Sequence, residues 1–198
     1  MVKLYTDRLI IRDYILDDLE TNHELLSSNI VMYYLQDIKT STIEETRENL
    51  LTLIDDQKSN ERKYYCFRIE NKETNEFIGS IGYTVLDNTP YGKLVHLGYF
   101  IKEIYWNKGY TTEALKRTID FSFNENNVYR IHTGCLKDNI SSEKIMKKCG
   151  FIKEAEFKEY VFHDGKLKDR VEYRMLKNDW KMIFTSPNEA VENMQNIT

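Results

Sequence analysis

The segment Leu97–Ala114 holds the residues of this 198-residue chain whose types and spacing most resemble a binding device. An apolar run ends near Ile101, Asn107-Lys108-Gly109 follow, and a helical pattern starts at about Tyr110. The first N–H groups of a helix have no intrahelical partner, and the helix dipole adds partial positive charge there. Gly109 lacks a side chain, so an anion can approach the backbone closely, and Lys108 adds a mobile cation. This is an anion site by construction. The alternative is an ordinary strand–loop–helix turn whose glycine only relieves strain. The chain has no Gly-x-x-x-x-Gly-Lys-Ser/Thr loop and no Gly-x-Gly-x-x-Gly after a strand. A second pair, Asn139 and Ser142, sits three apart and so shares one side of a helix's first turn. Asn139 also suits an N-cap there. His96 lies on the strand leading to the loop and titrates in a useful range; a strand histidine can equally be structural. No Cys/His pair has metal-ligand spacing.

These residues need elements to hold them. Leu4–Tyr14 alternates as a strand and Asp17–Ser27 as a short helix. Thr42–Lys58 reads as a longer helix, with a capping box from Ser41 and Glu44 or from Thr42 and Glu45. Lys63–Glu70 and Phe77–Leu86 form a strand pair across the polar turn 71–76. Leu94–Ile101 is a strand, Thr111–Asn124 a helix, Tyr129–Leu136 a strand, and Asn139–Cys149 a helix stopped by Gly150. Ile152–Phe162 and Leu167–Leu176 make a final hairpin turning at Asp164-Gly165. The order implies an α/β (α+β) fold with a mixed sheet and flanking helices, its ligands outside the carboxyl ends of strands. Two prolines and no Gly/Ser-rich linker argue for a single domain over residues 1–184 and a polar tail over 185–198.

Bulk properties narrow the classes. A net charge of −4 argues against a general nucleic-acid binder. No run has the length of a membrane helix, and the start of the chain lacks a signal peptide's unbroken apolar stretch. Cys66, Cys135 and Cys149 are odd in number, widely spaced and set in apolar contexts, as buried thiols would be. Cytoplasm is the expected compartment.

Trp106-Asn107-Lys108-Gly109-Tyr110-Thr111-Thr112-Glu113-Ala114 resembles the acetyl-CoA pyrophosphate loop of the GNAT acetyltransferases. The similar branch contains the ribosomal-protein N-terminal acetyltransferases and their polyamine-acetylating relatives. Thr6–Arg12, Ile78–Gly82, Asp138–Ser142 and Lys148–Phe151 resemble further motifs of that family, in the same order. The resemblance spans about Leu4 to Trp180 and implies a mostly antiparallel twisted sheet. It also implies acetyl-CoA as co-substrate, no metal, an amine acceptor and, as often in the family, a homodimer.

The resemblance carries roles onto residues. Tyr99, Phe100 and Ile101 would line the pantetheine and polarise the thioester through free backbone N–H groups. Trp106, Asn107, Lys108, Gly109, Tyr110, Thr111 and Thr112 would hold the pyrophosphate. Asn139 would bond the pantetheine amide, with Ser142 and Met146 near the thiol. Relatives often carry a tyrosine at Met146 that reprotonates the leaving thiolate. With methionine there, Ser142 becomes the candidate acid, and His96 the candidate base. Asn107 and Thr111 also depart from the small residues usual at those positions. His132 is a weaker base candidate, and His23, Glu24, Tyr33 and Tyr34 fall in the region resembling the acceptor wall.

The implied function is transfer of an acetyl group to a primary amine by direct attack on the thioester. A peptide α-amine, with a pKa near ~8, is neutral in roughly a tenth to a third of molecules at physiological pH; a lysine side chain is neutral in about one per thousand. The α-amine needs less help from a base, which favours a protein N-terminus. The alternatives are a small-molecule acceptor (polyamine, amino sugar or drug), or a non-catalytic CoA-binding sensor.

Overall fold

The computed structural model describes residues 1–184, so the tail expected over 185–198 lies outside the described residues. Eight strands form one sheet in the order β1-β2-β3-β4-β5-β6-β8-β7. They are β1 (Lys3–Tyr5), β2 (Leu9–Asp13), β3 (Tyr64–Asn71), β4 (Phe77–Thr89), β5 (Gly92–Ile101), β6 (Val128–Leu136), β7 (Ile152–His163) and β8 (Lys166–Leu176). Every pairing is antiparallel except β5 with β6. The helices are α1 (Leu19–Leu26), α2 (Ile43–Asp56), α3 (Tyr110–Asn124), α4 (Ile140–Lys148) and α5 (Lys177–Phe184).

The single parallel junction follows from chain length. The β5–β6 connection contains α3, and a crossover of that size is what parallel neighbours require. The hairpins are short. Asp164 and Gly165 both take left-handed φ, 53° and 76°, as a two-residue turn between right-twisted strands demands.

Three expectations change. Leu4–Tyr14 is not one strand: it breaks at Thr6, whose hydroxyl accepts from Leu9 N at 2.9 Å, and β1 folds back on β2. The strand expected over Leu94–Ile101 begins at Gly92 and pairs with β4 down to Thr89, so both strands run longer than alternation suggests. α5 was not anticipated. It is seated by buried Trp180, beside the Phe123 ring, and by Asp179, which accepts from Leu176 N at 2.9 Å.

Neighbouring residues on a strand face opposite ways. Tyr99 packs with the main core, which holds Leu115 and Ile119 of α3 and Met146 of α4. Phe100 packs with Leu25, Leu26 and Met32 of α1 and the loop after it. So α3 and α4 cover one face of β5, and α1 with residues 27–42 covers part of the other. α1 itself is anchored by buried charge: Asp18 accepts from Arg12 at 2.8 Å, and Arg12 and Arg68 both pair with Glu70, at 2.6 and 2.7 Å. Burial alone would raise the Asp18 pKa; its bonds from Arg12 and Ile15 N outweigh that and hold it low. Among the described residues no helix is long and apolar enough to cross a membrane.

Candidate active site

β5 and β6 pair only from Lys93–Val128 to His96–His132. Beyond that point β5 stays paired with β4 as far as Ile101, and β6 with β8 as far as Leu136. The two strands therefore part into a wedge. The β5 edge from Leu97 to Ile101 faces it without a ladder partner, and in an antiparallel strand every second N–H points that way. Unpaired donors in a sheltered cleft can polarise a carbonyl; loss of one donor of this kind costs about 10²–10³-fold in rate elsewhere.

At the mouth of the wedge lies the loop to α3. Asn107 has φ 59° and Gly109 φ 80°, both left-handed. Asparagine is among the few side-chain-bearing residues that visit this region readily, which explains why it can stand at a position that favours glycine. Gly109 is the N-cap of α3 and supplies no side-chain acceptor, so the first-turn N–H groups are left for a ligand. Trp106 Nε1 donates to the Ile101 carbonyl at 3.0 Å, tying the loop to the end of β5. Thr111 is buried; Lys108 is exposed, its Nζ 5.7 Å from the Tyr105 ring.

The loop is braced from across the sheet. Arg8 Nη1 donates to the Lys108 carbonyl at 3.1 Å, and its guanidinium lies 4.5 Å over the Tyr110 ring. Glu113 accepts from Thr6 Oγ1 at 2.6 Å, Arg8 N at 3.0 Å and Arg8 Nε at 2.7 Å. Burial would raise the Glu113 pKa, and these bonds carry it below the usual range instead. The break between β1 and β2 is thus what delivers Thr6 and Arg8 to α3. Sequence reading missed this brace, since the partners lie about a hundred residues apart.

On the far lip, Asn139 Oδ1 accepts from Ser142 N at 3.2 Å, so Asn139 caps α4 and its Nδ2 is left to donate to a ligand. Tyr99 Oη reaches across the wedge, donating to the Ser142 carbonyl at 3.1 Å and lying 3.1 Å from Ser142 Oγ. Burial pushes the Tyr99 hydroxyl pKa up, so it stays a neutral donor. Its hydroxyl, and not its backbone alone, thus links β5 to the start of α4. One assignment needs correction. Met146 is wholly buried in the main core and offers a ligand no surface. The Phe100 side chain packs under α1, so only its backbone lines the wedge.

The opposite face carries the titratable groups. His96 is the last β5 residue paired with β6, its ring 5.3 Å from that of His132. Burial, then His132 and Arg170, lower the His96 pKa; Glu172 and Asp37 pull the other way. His132 Nε2 lies 2.7 Å from Glu172 Oε2, and Arg170 pairs with the other Glu172 oxygen. A cavity of about 470 Å³ opens on this face, lined in part by His132, Glu172, Arg130 and Tyr160. Residues 27–42 meet the β7–β8 turn as a wall. His163 Nε2 donates to the Tyr33 carbonyl at 2.5 Å, Tyr33 Oη to Asp164 at 3.0 Å, and Tyr34 Oη to the Asp138 carbonyl at 3.4 Å. His163 was not singled out from sequence. His23 and Glu24 are engaged elsewhere, with Thr46 at 2.8 Å and Lys102 at 3.0 Å. Among the described residues no group of three or more His, Cys, Asp or Glu side chains is placed to hold a metal.

This architecture has relatives. Residues 8–152 match the model of an acetyltransferase (GNAT) domain. An uncharacterized N-acetyltransferase, p20, of Bacillus licheniformis is 29% identical over 91% of this chain and 99% of its own length. The crystal structure of ribosomal-protein-S5-alanine acetyltransferase from Vibrio fischeri superposes with a TM-score of 0.79 at 26% identity, covering 91% of this chain and all of that one. Spermidine N-acetyltransferase from Vibrio cholerae, in complex with CoA and spermine, shares the fold with a TM-score of 0.78 at 19% identity, over 88% of this chain and 99% of that one.

Proposed function

This chain belongs to the GNAT acetyltransferase family, and from that premise we propose that it acetylates the α-amine at a protein N-terminus. Acetyl-CoA, the co-substrate, supplies an acyl group activated as a thioester. The observation that carries the reading is the wedge past His96 and His132, with hydrogen-bond donors on one side and a neutral base on the other. The open N–H groups of α3, with Gly109 adding no side chain, suit the pyrophosphate. Asn139 Nδ2 suits the pantetheine amide. The unpaired β5 edge polarises the thioester carbonyl. His96, its pKa drawn down, is neutral at physiological pH and takes the proton from the attacking amine, directly or through water. The Ser142 hydroxyl, held by Tyr99, donates to the departing thiolate.

Two observations favour an α-amine over a polyamine. A polyamine is best met by several unpaired carboxylates along its path; at this wall Asp138 is paired with Lys168 at 2.5 Å and Asp164 takes the Tyr33 hydroxyl, which leaves Asp37 near His96. The base is one half-buried histidine, adequate for an amine already partly neutral. The ribosomal-protein-alanine relative, at 26% identity against 19% for the spermidine enzyme, supports this choice.

Incubation with acetyl-CoA and an amine panel, following free thiol, tests it. We expect kcat/KM for a peptide with a free N-terminus to exceed that for spermidine and for an amino sugar. Tight CoA binding with no turnover on any amine would leave a non-catalytic CoA sensor. Ser142→Ala should lower kcat about tenfold or more with KM for acetyl-CoA little changed. The rate should rise toward about pH 8 as the acceptor amine loses its proton, above an acid limb below 6.5 where His96 loses its own. His96→Gln should erase that acid limb.

A further inference from the structure

Four glycines lie inside the central strands: Gly79 and Gly82 in β4, Gly98 in β5 and Gly134 in β6. Glycine weakens a strand interior, since it loses more backbone freedom and packs nothing. Three of them have a steric reason. A Cβ at Gly79 would fall 2.5 Å from Ile101 Cα, one at Gly82 2.1 Å from the Tyr65 carbonyl oxygen, and one at Gly134 2.3 Å from Glu172 Oε2. Gly98 has no such reason. A Cβ there meets nothing within 4 Å, and its φ is not left-handed. It pairs in register with Gly82, away from the bulge of that ladder. Neither backbone nor packing calls for glycine at 98. A strand glycine without such a reason often marks a site where a ligand approaches the backbone closely.

Its position says what passes. Gly98 stands two residues beyond His96, and Gly134 two beyond His132, the last pair before the strands part. On the face of His96 and Phe100, each lip of the wedge therefore begins with a glycine. A Cβ at Gly98 would meet open space, so this exposed residue floors a hollow on that face. The other face is closed by Tyr99 and Ser142. Whatever enters at Gly98 arrives beside the candidate base and opposite the candidate acid.

We propose that Gly98 is the clearance position through which the acceptor's primary amine enters the wedge, and that its missing side chain sets how much substitution beside the nitrogen is tolerated. The proposal rests on the acetyltransferase reading above.

The full chain carrying Gly98→Ala, Gly98→Val or Gly98→Leu tests it. All three should fold, and Gly98→Ala should melt no lower than the parent, because the site is open and its backbone ordinary. CoA affinity by calorimetry should stay within about twofold. For an α-branched amine such as a dipeptide, kcat/KM should fall about tenfold at Ala and further at Val and Leu; an unbranched alkylamine should lose as much only at Leu. Affinity for the amine in the dead-end complex with CoA should fall in the same order. Unchanged kcat/KM and amine affinity in Gly98→Leu would overturn the proposal. So would CoA affinity falling in step with them, since the pantetheine would then occupy the hollow. A parent protein that binds CoA but acetylates no amine would instead refute the acetyltransfer reading, and this inference with it.

Discussion

The N-termini of α2 and α3 answer the same physical demand in opposite ways. Both expose first-turn N–H groups that need acceptors. α2 provides its own: Thr42 Oγ1 accepts from Glu45 N at 3.2 Å, and Glu45 Oε2 accepts from Ser41 N at 2.7 Å and Thr42 N at 3.3 Å. α3 starts from Gly109, which has nothing to offer, and the first-turn carboxylate of Glu113 turns away to Thr6 and Arg8. A capped start is finished as structure; an uncapped one, held rigid from behind, is a socket. α4 stands between them, with Asn139 spending one atom on the cap and keeping another.

The contrast can be broken deliberately. Gly109→Glu puts a like charge where the anion belongs and a side chain at φ 80°, a conformation costing about 1–2 kcal/mol for a non-glycine. CoA binding should fall by about 100-fold or more by calorimetry, with the circular dichroism spectrum unchanged. Arg8→Ala leaves the socket in place and removes its brace. The Arg8–Glu113 pair is half exposed, so its loss alone should cost stability only about 0.2–1 kcal/mol. CoA affinity should fall about tenfold through the freed Lys108 carbonyl, equivalent to ~1.4 kcal/mol, and Arg8→Lys should restore little of it. Thr42→Ala is the control on the closed helix: about 1 kcal/mol of stability lost by denaturant titration, and no change in CoA affinity.

Local chemistry was legible in the sequence; long-range geometry was not. The capping box at Thr42 and Glu45, the Asp164-Gly165 turn and the stop at Gly150 each depend on neighbours within a few residues, and each falls where it was read. Gly109 at the start of α3 and Asn139 at that of α4 are local in the same sense. The β1–β2 break escaped because the polar run Thr6–Arg8 was read as part of the strand that Leu9 and Ile11 define, and what bends the chain there includes a carboxylate on α3. The Tyr99 hydroxyl escaped because a strand residue was read for its backbone, although its side chain bridges to another element. Met146 misled for the complementary reason: its place in a motif suggested the thiol, and its apolar side chain went to the core.

The parting of β5 from β6 also has a clock in it. Amide hydrogens locked in a ladder exchange with solvent only when the strand opens, whereas those of the free β5 edge need no such opening. One strand therefore carries fast and slow protons on alternate residues from Leu97 to Ile101, with the core of the sheet immediately behind them. A ligand seated along that edge slows only the fast set, so the isotope record of these five residues distinguishes a filled wedge from a stiffer protein.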